Sequence, residues 1–233
     1  MSIYLGNSER LTRNELADIE TPAPTATWKP VSHADVVNNI LHQADARGYE
    51  VVKETYGVNT EGKKLFGLIE FAPHGHPEWT RCLGINNSHD KSLSVRVAVG
   101  VSVMVCDNLC LSGDMVCRRK HTSGLSLYEH IEMIMEGMNR SFASLEMRFE
   151  EMKRTPFGWG MAKRDAVELA QNHVINSSSI VPIIDEFENP RHEEFTDPTE
   201  WNYYMAITET IKSYPVQRAM QAHRGLAERF GLK

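Results

Sequence analysis

Asn86, Asn87, Ser88, His89, Asp90, Lys91 and Ser92 form an unbroken run of side chains able to make hydrogen bonds. A turn needs only one or two such residues, so the run admits two readings. In the first, His89 and Asp90 belong to a polar site that moves protons or binds a cation. In the second, the segment is an Asn/Asp/Ser-rich turn whose side chains cap their own backbone. A second cluster is Cys106, Cys110, Cys117 and His121. Structural zinc sites bring their ligands in as tight pairs separated by two to five residues, and this spacing fits poorly. Buried thiols are expected instead, with no metal and no cofactor. His74-Gly75-His76 offers two ligands without a third and reads as a loop. Arg118, Arg119 and Lys120 make the densest basic run, and Lys91 and Arg96 are expected near them on the same sheet. Cations on a sheet edge suit phosphate contacts, so these five are the candidate nucleic-acid-binding residues. A charged edge strand that blocks edge-to-edge pairing explains the same run equally well. No phosphate-binding glycine loop, nucleophile elbow or His-Glu-x-x-His helix is present, and no catalytic residue is assigned.

The elements that must position these groups follow from hydrophobic period. The run Thr21–Pro30 contains three prolines, so residues 1–30 are expected as an extended arm ahead of a single domain over 31–233. Ser32 reads as an N-cap for a helix that buries Val36, Val37, Ile40, Leu41 and Ala44 and stops at Gly48. From Tyr49 the period changes to two. Residues 49–58 and 64–73 flank a polar turn as a hairpin, and residues 78–89 make a third strand. Leu93, Val95, Val97, Val99, Val101, Val103 and Val105 then occupy every odd position of a fourth. That alternation gives one β-branched core face and one small, polar face, the latter a floor for a ligand, a backbone or a helix. A short strand is expected over residues 115–122. Next, Ile131, Met135, Met138, Phe142, Leu145, Phe149 and Met152 step by four and three, one apolar stripe on a long helix. Pro156 and Gly158 end it. A helix over 161–173, an acidic loop with Pro182, Pro190 and Pro198, and two helices split near Pro215 complete the chain. The predicted class is α+β: an antiparallel β-meander packed against a long amphipathic helix, with the sheet and helix in 31–155 and further helices in 156–233.

Charge is distributed unevenly. The net charge is −6, which argues against a general coat for polyanions. Residues 165–209 hold ten acids against Arg191 alone, while residues 210–233 hold five Lys/Arg against Glu228 alone. Any nucleic-acid site must therefore be a local patch. No apolar run approaches the roughly 18 residues that span a bilayer, and the N-terminus lacks an apolar signal core. A cytoplasmic protein without membrane contact is expected, with its four cysteines reduced.

Three segments together resemble one family, the phage/plasmid-like proteins grouped as domain of unknown function 932. Asn87-Ser88-His89-Asp90-Lys91-Ser92 is similar to that family's Asn-Ser-His-Asp-Gly-Ser, with Lys91 where glycine is usual. Val103–Asp114, containing Asn108, resembles its valine-cysteine-x-asparagine signature. In Thr199–Ile211, Trp201, Tyr204, Thr208 and Glu209 match its Trp/Tyr/Thr/Glu helix, and Asn202 is displaced from the pattern. The resemblance implies a polar motif of unassigned role and a place beside recombination genes on mobile elements. The order of elements is also similar to that of single-strand annealing proteins, an analogy of fold alone. The leading expectation is a non-catalytic protein of recombination or DNA metabolism that binds single-stranded DNA or RNA and forms a homo-oligomer. A second is an interaction protein that blocks a host defence factor through its acidic surface. A third is a metal-dependent nuclease or hydrolase centred on His89, Asp90 and Asp114.

Overall fold

The computed structural model describes residues 9–105, 108–111 and 127–232. Six strands form one antiparallel sheet in chain order: β1 (Glu9–Leu11), β2 (Val51–Val58), β3 (Lys64–Phe71), β4 (Trp79–Ser88), β5 (Arg96–Val103) and β6 (Leu109–Leu111). The alternating valines set its inner layer. Val95, Val97, Val99, Val101 and Val103 are all buried on one face, where α2 (His33–Asp45) and α3 (Leu127–Arg154) lie across the sheet. In α2, the Ser32 side chain accepts the Asp35 N–H as expected of an N-cap. In α3 the stripe from Ile131 to Met152 is buried at every predicted position. The meander and its long helix make the protein α+β, as its periodicities imply.

The small face of β5 is a floor for a neighbouring strand. Leu111 of β6 lies over Gly84 and Gly100, and Cys82, Ala98, Leu109 and Leu111 form a second apolar cluster with Leu68 and Met220 packed on it. A Cβ on Gly100 would sit 2.7 Å from Leu111 Cδ2 and closer still to the Cys110 carbonyl. Gly100→Ala should therefore cost about 1–3 kcal/mol through overpacking. A urea melt checks this, and a loss under ~0.5 kcal/mol would mean that β6 does not press on β5.

Two expectations change, and one strand is added. Residues 9–30 are largely extended, but they also supply β1, which pairs with β2, and a short helix α1 (Arg13–Ala17). Thr12 and Glu15 cap α1 reciprocally, and Leu16 anchors it in the core. The acidic stretch expected as a loop contains α5 (Ile180–Glu188), because Pro182 falls in the first helical turn, where its missing N–H has no partner to lose. The sixth strand is Leu109–Leu111, while the strand expected over 115–122 lies outside the described residues. The C-terminal helices are α4 (Trp159–Gln171), α6 (Glu200–Ile211) and α7 (Val216–Phe230). Among the described residues no helix is long and apolar enough to cross a membrane.

Candidate functional site

The polar run at the end of β4 meets two other segments at one end of the sheet. The His89 N–H donates to the Lys63 carbonyl at 2.7 Å, joining it to the β2–β3 turn. Asn87 Nδ2 and His89 Nε2 both donate to the carbonyl of Val31, at 2.9 and 3.0 Å. That carbonyl lies just before α2, so the two side chains pin the entry to the helix. Asn87 Nδ2 also lies 2.9 Å from Nδ1 of His33, whose Nε2 faces the Gly62 carbonyl at 3.1 Å. His33 therefore carries its proton on Nε2 and accepts on Nδ1. The His33 and His89 rings stack with centroids 3.9 Å apart and planes 2° from parallel. Burial, the largest influence on His89, pushes its pKa down, and the Val31 carbonyl, Asp90 and the Glu20 carbonyl do not cancel it. His89 is thus a neutral group locked between backbone segments.

The rest of the run turns the chain. Ser88 Oγ donates to the Leu93 carbonyl and accepts its N–H, at 2.8 and 2.9 Å. Asp90 Oδ1 accepts from the Ser92 N–H at 2.9 Å and from the Ser92 hydroxyl. Partial burial raises the Asp90 pKa, but the Ser92 bonds and then Lys64, 3.4 Å away, outweigh it and hold the carboxyl below its usual range. Lys91 has φ 64°, the left-handed region that favours glycine. The conformation expected of the family's glycine is thus kept by a lysine. Lys91 is exposed, and its ammonium lies 5.0 Å from the centre of the Trp28 ring. Exposed Lys29 follows Trp28, and exposed Lys63 precedes Lys64 in the adjoining turn. Lys63, Lys64 and Lys91 thus gather with one indole at the end of the sheet, with Glu61 and Asp90 as counter-charges.

Arg96 opens β5 opposite Asn86 and is half-buried, its Nε 3.4 Å from Ser94 Oγ. Its even position in β5 places it on the sheet face away from α2 and α3, the face that also carries Lys64 of β3. Arg118, Arg119 and Lys120 lie outside the described residues, as do Cys106, Asp114, Cys117 and His121. Among the described residues no group of three His, Cys, Asp or Glu side chains could hold a metal ion. Cys82 and Cys110 are buried, and burial raises the Cys82 thiol well above its ordinary pKa. His76 stacks on Trp79 with centroids 3.5 Å apart.

The α6 motif residues build a wall of the core. Trp201 packs on Trp79, Phe149 and Tyr204, with centroids 5.7, 5.0 and 6.2 Å away. Asn108 Nδ2 donates to the Met205 carbonyl at 3.1 Å, which fixes the start of β6 to α6, and the Thr208 hydroxyl donates to the same carbonyl at 3.0 Å. Glu209 lies 2.9 Å from Arg191 and also pairs with Lys212. The acidic stretch and the basic tail meet within one molecule, since Arg229 binds buried Asp165 as Lys212 binds Glu209.

Two members of this arrangement carry no local signal in the sequence. Trp28 and His33 lie more than fifty residues before the segment they contact, and nothing in their own surroundings marks them. The model of the family described as a domain of unknown function, DUF932, matches residues 23–228. No curated protein and no solved structure matches this chain.

Proposed function

The chain belongs to the family of domain of unknown function 932, and on that footing we propose that it is a non-catalytic nucleic-acid-binding protein of recombination or DNA metabolism, encoded on a phage or plasmid. Its ligand in this reading is single-stranded DNA or RNA. One observation supports the reading above the others: an exposed lysine is held in a left-handed turn with its ammonium over a partly exposed indole. An unpaired base stacks on an aromatic face, and the adjacent cations take the phosphates. Lys29, Lys63 and Lys64 extend the cationic track from that point, and Arg118, Arg119 and Lys120 are assigned to the same ligand.

Fluorescence anisotropy with a labelled oligonucleotide tests this. Affinity should fall with salt with a log–log slope of about −0.7 per phosphate neutralised. Lys91→Glu, and Arg118→Glu with Arg119→Glu, should each weaken binding at least tenfold while the thermal melt stays near wild type. Arg224→Glu is the matched control, because Arg224 is 54% exposed, whereas Arg229 holds buried Asp165 and its reversal would damage the fold. No binding by folded wild type at low salt and tens of micromolar protein would sink the proposal. The interaction protein that blocks a host defence factor would then be the better reading.

A further inference from the structure

His33 and His89 are 56 positions apart in the chain, yet their rings are stacked and nearly fully buried. They sit under the carbonyl that ends the proline-rich segment 20–31, and Asn87 couples the rings to it. A single amide nitrogen, Asn87 Nδ2, serves both His33 Nδ1 and the Val31 carbonyl, each at 2.9 Å. That arrangement requires His33 Nδ1 to be a lone pair. A proton there would face an N–H donor. Rotating the Asn87 amide would present Oδ1 to the protonated ring, but the same oxygen would then oppose the Val31 carbonyl. A proton on His33 and the Asn87–Val31 bond are therefore mutually exclusive.

We propose that the stacked His33–His89 pair is a proton-operated latch, which holds segment 20–31 on the sheet while both rings are neutral and releases it on acidification. The groups that face the pair can be named element by element. From the β2–β3 turn comes the Gly62 carbonyl on His33 Nε2. From β4 and its turn come the Asn87 amide and the Asp90 carboxylate, with Lys64 of β3 3.4 Å from Asp90. From segment 20–31 come the Val31 carbonyl and, more weakly, the Glu20 carbonyl. Asp90 and the two carbonyls favour a proton on His89, and burial outweighs them. His33 is also the first residue of α2, where the positive end of the helix opposes a second cation. Two cationic rings 3.9 Å apart would then repel with little water between them. The latch is therefore closed above the ordinary histidine range and opens as pH falls below it. This inference does not depend on nucleic-acid binding.

Hydrogen exchange read by mass spectrometry on the full chain tests it at pD 7.5 and 5.5, with intrinsic rates corrected. Acid destabilises the whole fold as well, so the readout is the difference between regions: at the lower pD, protection of peptides within 20–31 should fall at least tenfold further than that of β3, β4 and β5. In His33→Gln the side-chain amide still reaches Gly62 but takes up no proton, so the segment should stay protected at both values. If that variant is already released at pD 7.5, the wild-type histidine ring signals in NMR decide. Their titration midpoint must coincide with the midpoint of release. Equal protection at both values, an equal loss across the whole sheet, or titration without release would each overturn the latch.

Discussion

Replacing Phe149 with Ala should remove about 3–5 kcal/mol of stability, enough to unfold a marginal domain. Phe149 is fully buried where α3 crosses the end of the sheet. Its ring meets Trp79 edge-on at 5.6 Å and Trp201 at 5.0 Å, so one side chain joins the long helix to both β4 and α6. Truncation loses the transfer free energy of the ring and leaves a cavity walled by two indoles that cannot collapse into it. Met147, two residues away and 73% exposed, is the internal control. Met147→Ala should change stability by less than about 0.5 kcal/mol. Denaturant melts of the two variants decide the matter. Equal losses would mean that α3 does not bury the stripe from Ile131 to Met152.

Acid should destabilise the protein through His223, and the effect should begin above the carboxylate range. His223 lies on the inner side of α7, and full burial pushes its pKa down to about 4. In the unfolded chain it titrates near 6.5. Between those values the unfolded state binds more protons, so stability is fully present above about 6.5 and is lost as pH falls toward 4. The whole shift corresponds to about 3 kcal/mol, of which about 2 kcal/mol should be gone at pH 5. Burial lowers the pKa of His89 too, so its share has the same sign. His223→Leu should remove the larger part of the loss between pH 7 and pH 5 and leave that of His89. Urea melts at the two pH values check this, and an unchanged pH dependence in the variant would contradict the burial of His223 as a neutral ring.

Elements with a repeating pattern were legible in the sequence. The valine alternation of β5, the hairpin of β2 and β3 and the apolar stripe of α3 each reflect burial of one face, and burial is what periodicity records. The exceptions are short or local. β1 and β6 are too short to show a period, and a proline in the first turn hid α5. The Asn87–Ser92 run stood out as unusually polar, but its partners did not. Asn87 and His89 act on the Val31 carbonyl and on His33, and Lys91 acts on Trp28. Such contacts form only when the N-terminal segment folds back over the end of the sheet, and no spacing along the chain encodes them. The left-handed backbone at Lys91 was not legible either, because a lysine in place of the family's usual glycine counted against a positive φ there.

The most direct test of nucleic-acid binding at this site is tryptophan fluorescence during titration with oligothymidine, comparing wild type with Trp28→Phe. Thymine carries no intrinsic fluorescence in this range, so stacking on an indole registers as quenching. Three other tryptophans, Trp79, Trp159 and Trp201, remain as an internal reference in the variant. Wild type should show saturable quenching that weakens as salt rises, and most of that quenching should be lost in Trp28→Phe. Binding with the same quenching in both proteins would place the ligand elsewhere, and no quenching with no binding would contradict the proposed function itself.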